Sequence, residues 1–313
     1  MRRIAVVLNT EAGTLRRLPL AETVRRLRAL FLLSGIEAVV TAGAGRACPE
    51  LLRAAFTVSS DAVVVGGGDG TVLMAATLAC ETGRPLGILP LGTMNLLARD
   101  LGVPAVWEEA VPALAHAPVR RMDVGEVNGR LFLNASVLGL YPGMIAGRER
   151  RRLLWGLGKW PAMVLAAVRA VLALPRLRVR IDDGTGEIKV TTPVLAVANN
   201  AYDEGLGAFL RRSTLDSGRL AVYLARHDQS WSVARLMVGL VLGTWQRNPQ
   251  LETRSVEHLI VRSSRHRLKV ANDGEIIRLT PPLVYRVRPA ALAVLAPGCV
   301  RVAATATGAG GLA

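Results

Sequence analysis

The sequence predicts an α/β domain built on a parallel sheet, followed by an all-β sandwich domain with helical insertions. Over the first 120 residues, short apolar runs alternate with longer stretches of helical periodicity, the pattern of strands joined by covering helices. One run, Val63-Val64-Val65, breaks abruptly into Gly66-Gly67-Gly68-Asp69-Gly70-Thr71 and resumes as a helix. Past residue 120 the pattern changes to short strand-like segments, several of them bounded by Asn-Gly or Asp-Gly, favoured pairs in tight hairpins.

Residues 3–9 read as a buried strand, and 20–33 as an amphipathic helix with Arg on its outer face. A strand at 36–41 and a helix at 49–56 follow. The strand at 61–65 ends in the glycine turn, and a helix over 72–79 leaves it. A fourth strand, 86–89, ends in Pro90-Leu91-Gly92-Thr93-Met94-Asn95. Parallel sheets covered on both faces bind ligands at the carboxyl ends of their strands, so both motifs fall where a shared site belongs. Beyond them, strands at 123–127 and 130–134 flank Asn128-Gly129, and 177–181 runs into Asp183-Gly184. Further strands read at 193–198, 219–224, 256–261, 267–271, 276–279 and 283–287, with a return strand near 291–295. Helices are expected around 160–174 and 230–245. The expected division is 1–120 with the return strand in 290–300, then 121–289, then a flexible tail of small residues over 304–313. No internal repeat is found.

A chain of 313 residues, 51% apolar, suffices for two domains with substantial cores. Its net charge of +15 points in principle to nucleic acid, but only Lys159, Lys189 and Lys269 are Lys. The Arg bias, with abundant Ala, Gly and Leu, resembles GC-rich codon usage, and 4% aromatics leave few platforms for stacking bases. An anionic membrane surface suits this charge better, and no nucleic-acid partner is expected. Cys48, Cys80 and Cys299 are scattered without a CxxC pair, as in a reduced cytosolic protein. No signal peptide is visible, and the longest apolar helical run, near 163–174, is too short to span a bilayer and carries Arg169.

The glycine turn carries the clearest chemistry. Bare backbone at a helix N-terminus lets phosphate oxygens approach N–H groups. Asp69 would repel phosphate unless a divalent cation lay between them, and Mg²⁺ is the usual one. The pattern is not a Walker A loop, because no Lys follows, nor GxGxxG, because the last glycine position is Thr71. Gly92, Thr93 and Asn95 form a second candidate phosphate contact, against the plain alternative of a helix cap. The third motif is Ala271-Asn272-Asp273-Gly274-Glu275. It is either an ordinary hairpin turn or a carboxylate placed to take a proton from an acceptor hydroxyl.

Taken in this order, Gly67-Gly68-Asp69-Gly70-Thr71, Pro90-Leu91-Gly92-Thr93-Met94-Asn95 and Asp273-Gly274-Glu275 resemble the bacterial lipid kinases of the diacylglycerol kinase and sphingosine kinase superfamily. The resemblance extends over nearly the whole chain. The glycine motif alone is shared with NAD kinases and phosphofructokinases, and the N-terminal domain is implied to be of that type. The resemblance implies ATP held by Gly66, Gly67, Gly68, Asp69, Gly70 and Thr71, with Asn9, Thr41, Thr93 and Asn95 supporting it. It implies Glu275 as proton acceptor, Asp273 beside it, and Asp69, Asp123 and Asp273 in a Mg²⁺ and water network. This chain departs from the family in three places. The first loop, Asn9-Thr10-Glu11-Ala12-Gly13, lacks the family's Pro and Ser; Leu96 stands where Asp often follows the second motif's Asn; and the loop resembling a structural cation site has Ser217 before Gly218, with Asp216 one residue earlier.

The acceptor side is basic and apolar. Arg148, Arg150, Arg151 and Arg152 precede Leu153-Leu154-Trp155, with Lys159-Trp160 following, a mixture suited to a bilayer interface. Trp231 and Trp245 read as core or cleft wall. The expectation is transfer of the ATP γ-phosphoryl group to a lipid hydroxyl, diacylglycerol-like, in phospholipid metabolism. The protein would be cytoplasmic, peripheral on the inner membrane face, with a homodimer left open. Two rivals stand: an NAD kinase-like enzyme with a soluble acceptor, and a nucleotide-binding, membrane-associated regulator without turnover.

Overall fold

Consecutive buried apolar residues such as Val63-Val64-Val65 need cover on both faces, and the chain supplies it with helices of matching periodicity. The computed structural model describes residues 1–139, 177–203, 210–225 and 251–298. The stretch at 148–160, the helices expected around 160–174 and 230–245, Cys299 and the tail from 304 lie outside the described residues.

The N-terminal part is α/β. Strands β1 (Arg3–Asn9), β2 (Glu37–Gly43), β3 (Ala62–Gly66) and β4 (Leu86–Leu89) run parallel in the order β2-β1-β3-β4. Helix α1 (Leu20–Leu33) follows Pro19 and buries Thr23, Leu27 and Phe31, one face at a four-residue spacing. Helix α2 (Ala47–Thr57) buries Cys48, Leu52, Ala55 and Phe56. Helix α3 (Asp69–Thr82) buries Thr71, Val72, Ala75, Ala76 and Ala79, and ends on Gly83 in the left-handed region at φ 72°. Two helices were not expected. Helix α4 (Leu96–Asp100) is too short to show a period, and α5 (Trp107–Ala115) contains Pro112, which reads as a breaker.

The C-terminal part is β-rich. Strands β5 (Val119–Val127) and β6 (Arg130–Phe132) form the hairpin around Asn128-Gly129. Then come β7 (Ala135–Gly139), β8 (Leu177–Asp182), β9 (Glu187–Thr192), β10 (Val194–Asn199) and β11 (Leu220–Ala225). After them come β12 (Leu251–Val256), β13 (His258–Arg262), β14 (Leu268–Asn272), β15 (Glu275–Leu279) and β16 (Leu283–Leu295). The single strand expected at 256–261 is two: β12 ends at Val256 on one sheet, and β13 begins at His258 on the other. The strands expected at 283–287 and 291–295 are one strand, β16, bent where Pro289 and Ala290 shift its register between Arg288 and Leu292.

This strand joins the two parts. Val294 pairs in parallel with Leu86 of β4 and antiparallel with Arg120 of β5, while residues farther back pair antiparallel with β5 and β13. One sheet therefore continues from β2 through β16 to β9. The second sheet, β12-β11-β10-β7-β14-β15, is antiparallel throughout and packs on its far half. Leu292, Val294 and Leu295 belong to the core under the parallel strands, Leu283 and Tyr285 to the core between the sheets. Among the described residues no helix is long and apolar enough to cross a membrane.

Candidate active site

The glycine turn closes β3 against its neighbours. A Cβ on Gly66 would lie 2.7 Å from the ends of the buried Leu8 and Leu91 side chains, which would have to move to admit it. Gly68 is the N-cap of α3, with open space around it. The first helical bond runs from the Val72 N–H to the Gly68 carbonyl at 3.0 Å. The Gly70 and Thr71 amides therefore have no intrahelical partner, and the positive end of the helix dipole faces the open side. Asn9, at the end of β1, donates from Nδ2 to the buried Thr71 hydroxyl at 2.8 Å and accepts the Glu11 N–H at 3.0 Å.

The second motif packs on the first. A Cβ on Gly92 would lie 2.8 Å from the Gly68 Cα and 2.9 Å from the Gly67 carbonyl oxygen. Asn95 adopts φ 50°, left-handed, which Asn tolerates. Its Oδ1 accepts the Gly92 N–H at 2.8 Å, and its Nδ2 donates to the Pro90 and Gly92 carbonyls at 3.2 and 3.0 Å. Asn95 thus shapes this turn with its whole amide. Thr93 is exposed beside Gly13, where an added Cβ would stand 2.8 Å from its Oγ1. The loops at 9–13, 66–71 and 90–95 converge. Thr41 does not join them through any contact described, since its hydroxyl donates to the Val6 carbonyl at 3.3 Å within the sheet.

Asp69, half-buried, opens α3. Burial pushes its carboxyl above the usual range, and N–H bonds from Leu96 and from its own backbone oppose that shift. Leu96 therefore serves Asp69 through its backbone, whatever side chain it carries.

The third motif arrives from the second sheet. Asn272 and Glu275 close the β14–β15 hairpin, with Asp273 at φ 46° and Gly274 at φ 87°. Glu275 is exposed, and its carboxylate reaches α3: a Cβ on Gly70 would lie 2.6 Å from its Oε1. The Asp273 carboxylate turns inward instead. Its Oδ2 accepts the Leu133 N–H at 2.6 Å, and its Oδ1 the Asn134 and Ala135 N–H groups at 2.8 and 3.0 Å. Burial raises its pKa, opposed by those three amides and by Arg212.

Asp69, Asp123 and Asp273 of the expected Mg²⁺ network and Asp216 of the cation-like loop are not gathered together. Asp123 is buried on β5, where its Oδ1 accepts the Ala290 N–H at 2.9 Å and its Oδ2 the Gly218 N–H at 2.7 Å. It clamps the bend of β16 to the 215–218 loop. Asp216 lies in that loop, with a buried Oδ1 that has no partner among the described residues. Among the described residues no three acidic, His or Cys side chains converge as a metal cage. Asp69 alone of the four lies in the glycine turn.

The residues most heavily built into the site were invisible in the sequence. Arg212 is buried with all five guanidinium donors used. Its Nε and Nη2 reach Asp100 Oδ2 at 2.9 and 2.8 Å. Its Nη1 donates to the Leu133 and Asn199 carbonyls at 2.5 and 2.8 Å, and its Nη2 to Asn134 Oδ1 at 3.0 Å. Its neighbours in sequence, Arg211 and Arg219, are exposed, and nothing in the sequence separates it from them.

Two family patterns match the chain: the diacylglycerol kinase catalytic domain over residues 3–127, and the YegS C-terminal NAD kinase beta sandwich-like domain over 148–296. A probable lipid kinase YegS-like protein of Chromohalobacter salexigens is 33% identical over 58% of this chain and 59% of its own. The match thus spans less than two thirds of that relative. A diacylglycerol kinase of Mycobacterium tuberculosis is 29% identical over 84% of this chain and 86% of its own. The crystal structure of a diacylglycerol kinase from Bacillus anthracis shares the fold, with a TM-score of 0.70 at 16% identity over 94% of this chain and 97% of that one.

Proposed function

We propose, from the premise that the chain belongs to the diacylglycerol kinase superfamily, that it transfers the γ-phosphoryl group of ATP to a lipid hydroxyl. The observation that carries this reading is the Glu275 carboxylate against Gly70, at the open N-terminus of α3. One group suited to take a proton faces unpaired amides suited to hold phosphate.

In this reading the Gly70 and Thr71 amides hold phosphate oxygens, Asn9 fixes Thr71, and Asn95 keeps the second turn seated against the first. The acceptor oxygen attacks the γ-phosphorus, its proton passes to Glu275, and the bond to the β-phosphate oxygen breaks to release ADP. Mg²⁺ would neutralise charge developing on the phosphates. The fit supports one protein carboxylate, Asp69, with the remaining positions left to phosphate and water, the usual habit of this ion. Residues 1–120 with 290–300 would form the nucleotide side and 121–289 the acceptor side. The acceptor would be diacylglycerol-like, met at the inner membrane surface through the basic, Trp-bearing stretch at 148–160.

The test offers radiolabelled ATP with diacylglycerol in mixed micelles against NAD. Label is expected in the lipid, with turnover falling by about 10²- to 10⁴-fold in Glu275→Gln and strongly in Asp69→Ala. Label appearing only in NADP would overturn the reading in favour of the NAD kinase rival. ATP binding with no turnover across a broad lipid panel would favour the regulator.

A further inference from the structure

A buried guanidinium needs a reason, because taking a charge out of water costs more than an ordinary polar contact returns. Arg212 and Asp100 are both 0% exposed, and they come from different parts of the chain. Asp100 ends α4, the helix whose first residue, Leu96, gives its N–H to Asp69. Arg212 sits among β-half residues, bonding the carbonyls of Leu133 and Asn199 and the side chain of Asn134.

The segment at 133–135 faces two ways. Its amides hold the Asp273 carboxylate, and Arg212 grips the Leu133 carbonyl. The Leu133 carbonyl and the Asn134 N–H belong to a single peptide unit. A guanidinium on that carbonyl polarises the unit and strengthens the bond from its N–H to Asp273 Oδ1. Asn199 braces the same segment, donating from Nδ2 to the Leu133 carbonyl at 3.3 Å and from its backbone N–H to the Asn134 carbonyl at 2.9 Å. Two residues after Asp273 comes Glu275, opposite Gly70.

We infer that Arg212 and Asp100 are positioning residues, an ion pair that fixes the β14–β15 hairpin relative to α4 and so sets where Glu275 stands over the glycine turn. The contacts run without a break from Asp69 through α4, Asp100, Arg212, the Leu133–Asn134 peptide and Asp273 to the hairpin. Both ends of that path are candidate catalytic groups, and its middle touches neither nucleotide nor acceptor in the proposed reading. The device is sensitive because transfer geometry is: an error of about 1 Å costs about 100-fold in rate. Asn134 is a lesser member, supplying one acceptor to Arg212 and one amide to Asp273.

The inference rests on the kinase reading only for its rate measurement, so the test has two arms. In the first, hydrogen–deuterium exchange is followed in wild type, Asp100→Asn and the milder Asn134→Ala, which keeps the charge pair. Faster exchange is expected in the hairpin at 268–279 with little change in α3. Unchanged hairpin exchange in a folded variant, or equal loosening of both segments, would overturn the inference even if no acceptor lipid were ever found. In the second arm, Asp100→Asn is expected to lower kcat by about 10- to 100-fold with KM for ATP within about twofold. The same change made on Glu275→Gln should have little further effect, because both act through one group. Equal fold losses on both backgrounds would mark a merely structural pair. A failure of wild type to phosphorylate any acceptor would count against the kinase reading alone. If Asp100→Asn does not fold, Asn134→Ala carries both arms.

Discussion

The glycine turn after β3 and the hairpin between β14 and β15 meet face to face, yet they are stabilised by opposite means. The turn is made of backbone. Its glycines are pressed between Leu8 and Leu91 and against Gly92, and its polar groups are left open at a helix end. The hairpin is placed by buried charge: Asp273 on three amides, those amides on a segment held by Arg212, and Arg212 on Asp100. A bare turn can accept a ligand without rearranging because nothing fills it. A carboxylate on an exposed hairpin has no such intrinsic place, and a network must supply one.

The sharpest way to separate the two regimes is one substitution made twice. In Gly92→Ala the new methyl meets Gly68 Cα and the Gly67 carbonyl, backbone that cannot turn aside. A cost of about 3 kcal/mol is expected, read as a fall in Tm of about 6–12 °C. In Gly70→Ala the obstacle is the far end of a flexible glutamate, 2.6 Å from the new Cβ. Stability should hold, helped by the helix preference for Ala, while turnover falls by about 100-fold as Glu275 is pushed off. Equal losses of stability in both variants would break the comparison.

The difference also explains what could be read without coordinates. Gly66 to Thr71 announced itself because a backbone-built site needs particular residue types in consecutive positions. The expected bounds of the helix at 20–33 and the strands at 3–9 and 86–89 match those observed, since burial on one face or both imprints a period. Arg212 and Asp100 stayed hidden because a buried ion pair 112 residues apart leaves no local pattern. The splitting of 256–261 at Glu257 and the fusion of 283–287 with 291–295 into β16 depend on which sheet each segment joins. Asn95 was legible as important but not in its role, since capping, phosphate contact and turn-building all call for the same side chain.

A smaller effect tests the hairpin side directly. Asp273→Asn keeps size and shape but leaves one oxygen to accept three N–H groups, and its amide end must face a donor. A loss of about 2 kcal/mol is expected, measured as a shift in the urea midpoint without a change in slope. Unchanged stability would mean that the three amides are not what holds the turn.

The smallest expected effect uses an ion pair that resembles Arg212–Asp100 in partners but not in setting. Asp183, in the β8–β9 turn, accepts from Thr185 and from Arg254, whose Nη1 lies 2.8 Å away. These bonds pull its pKa from the usual carboxylate value down to about 2, Thr185 contributing most. A depressed carboxyl contributes stability that is fully present above its unfolded value, near 4, and is lost as pH falls through about 2. Asp183→Asn should therefore cost about 1 kcal/mol at pH 5 after screening at a partly open site, and the gap to wild type should close near pH 2. Added salt should shrink it further, because a quarter of the Arg254 side chain is exposed. Asp69 and Asp273 work in the opposite sense. Burial raises Asp69 and Asp273, so the fold holds their protons more tightly than the unfolded chain does. Their contribution declines as pH rises through the folded pKa. Chemical denaturation of Asp183→Asn and Asp273→Asn, each followed from pH 2 to pH 7, would separate the two signs. Parallel curves would show that buried and peripheral acids here are not differently governed.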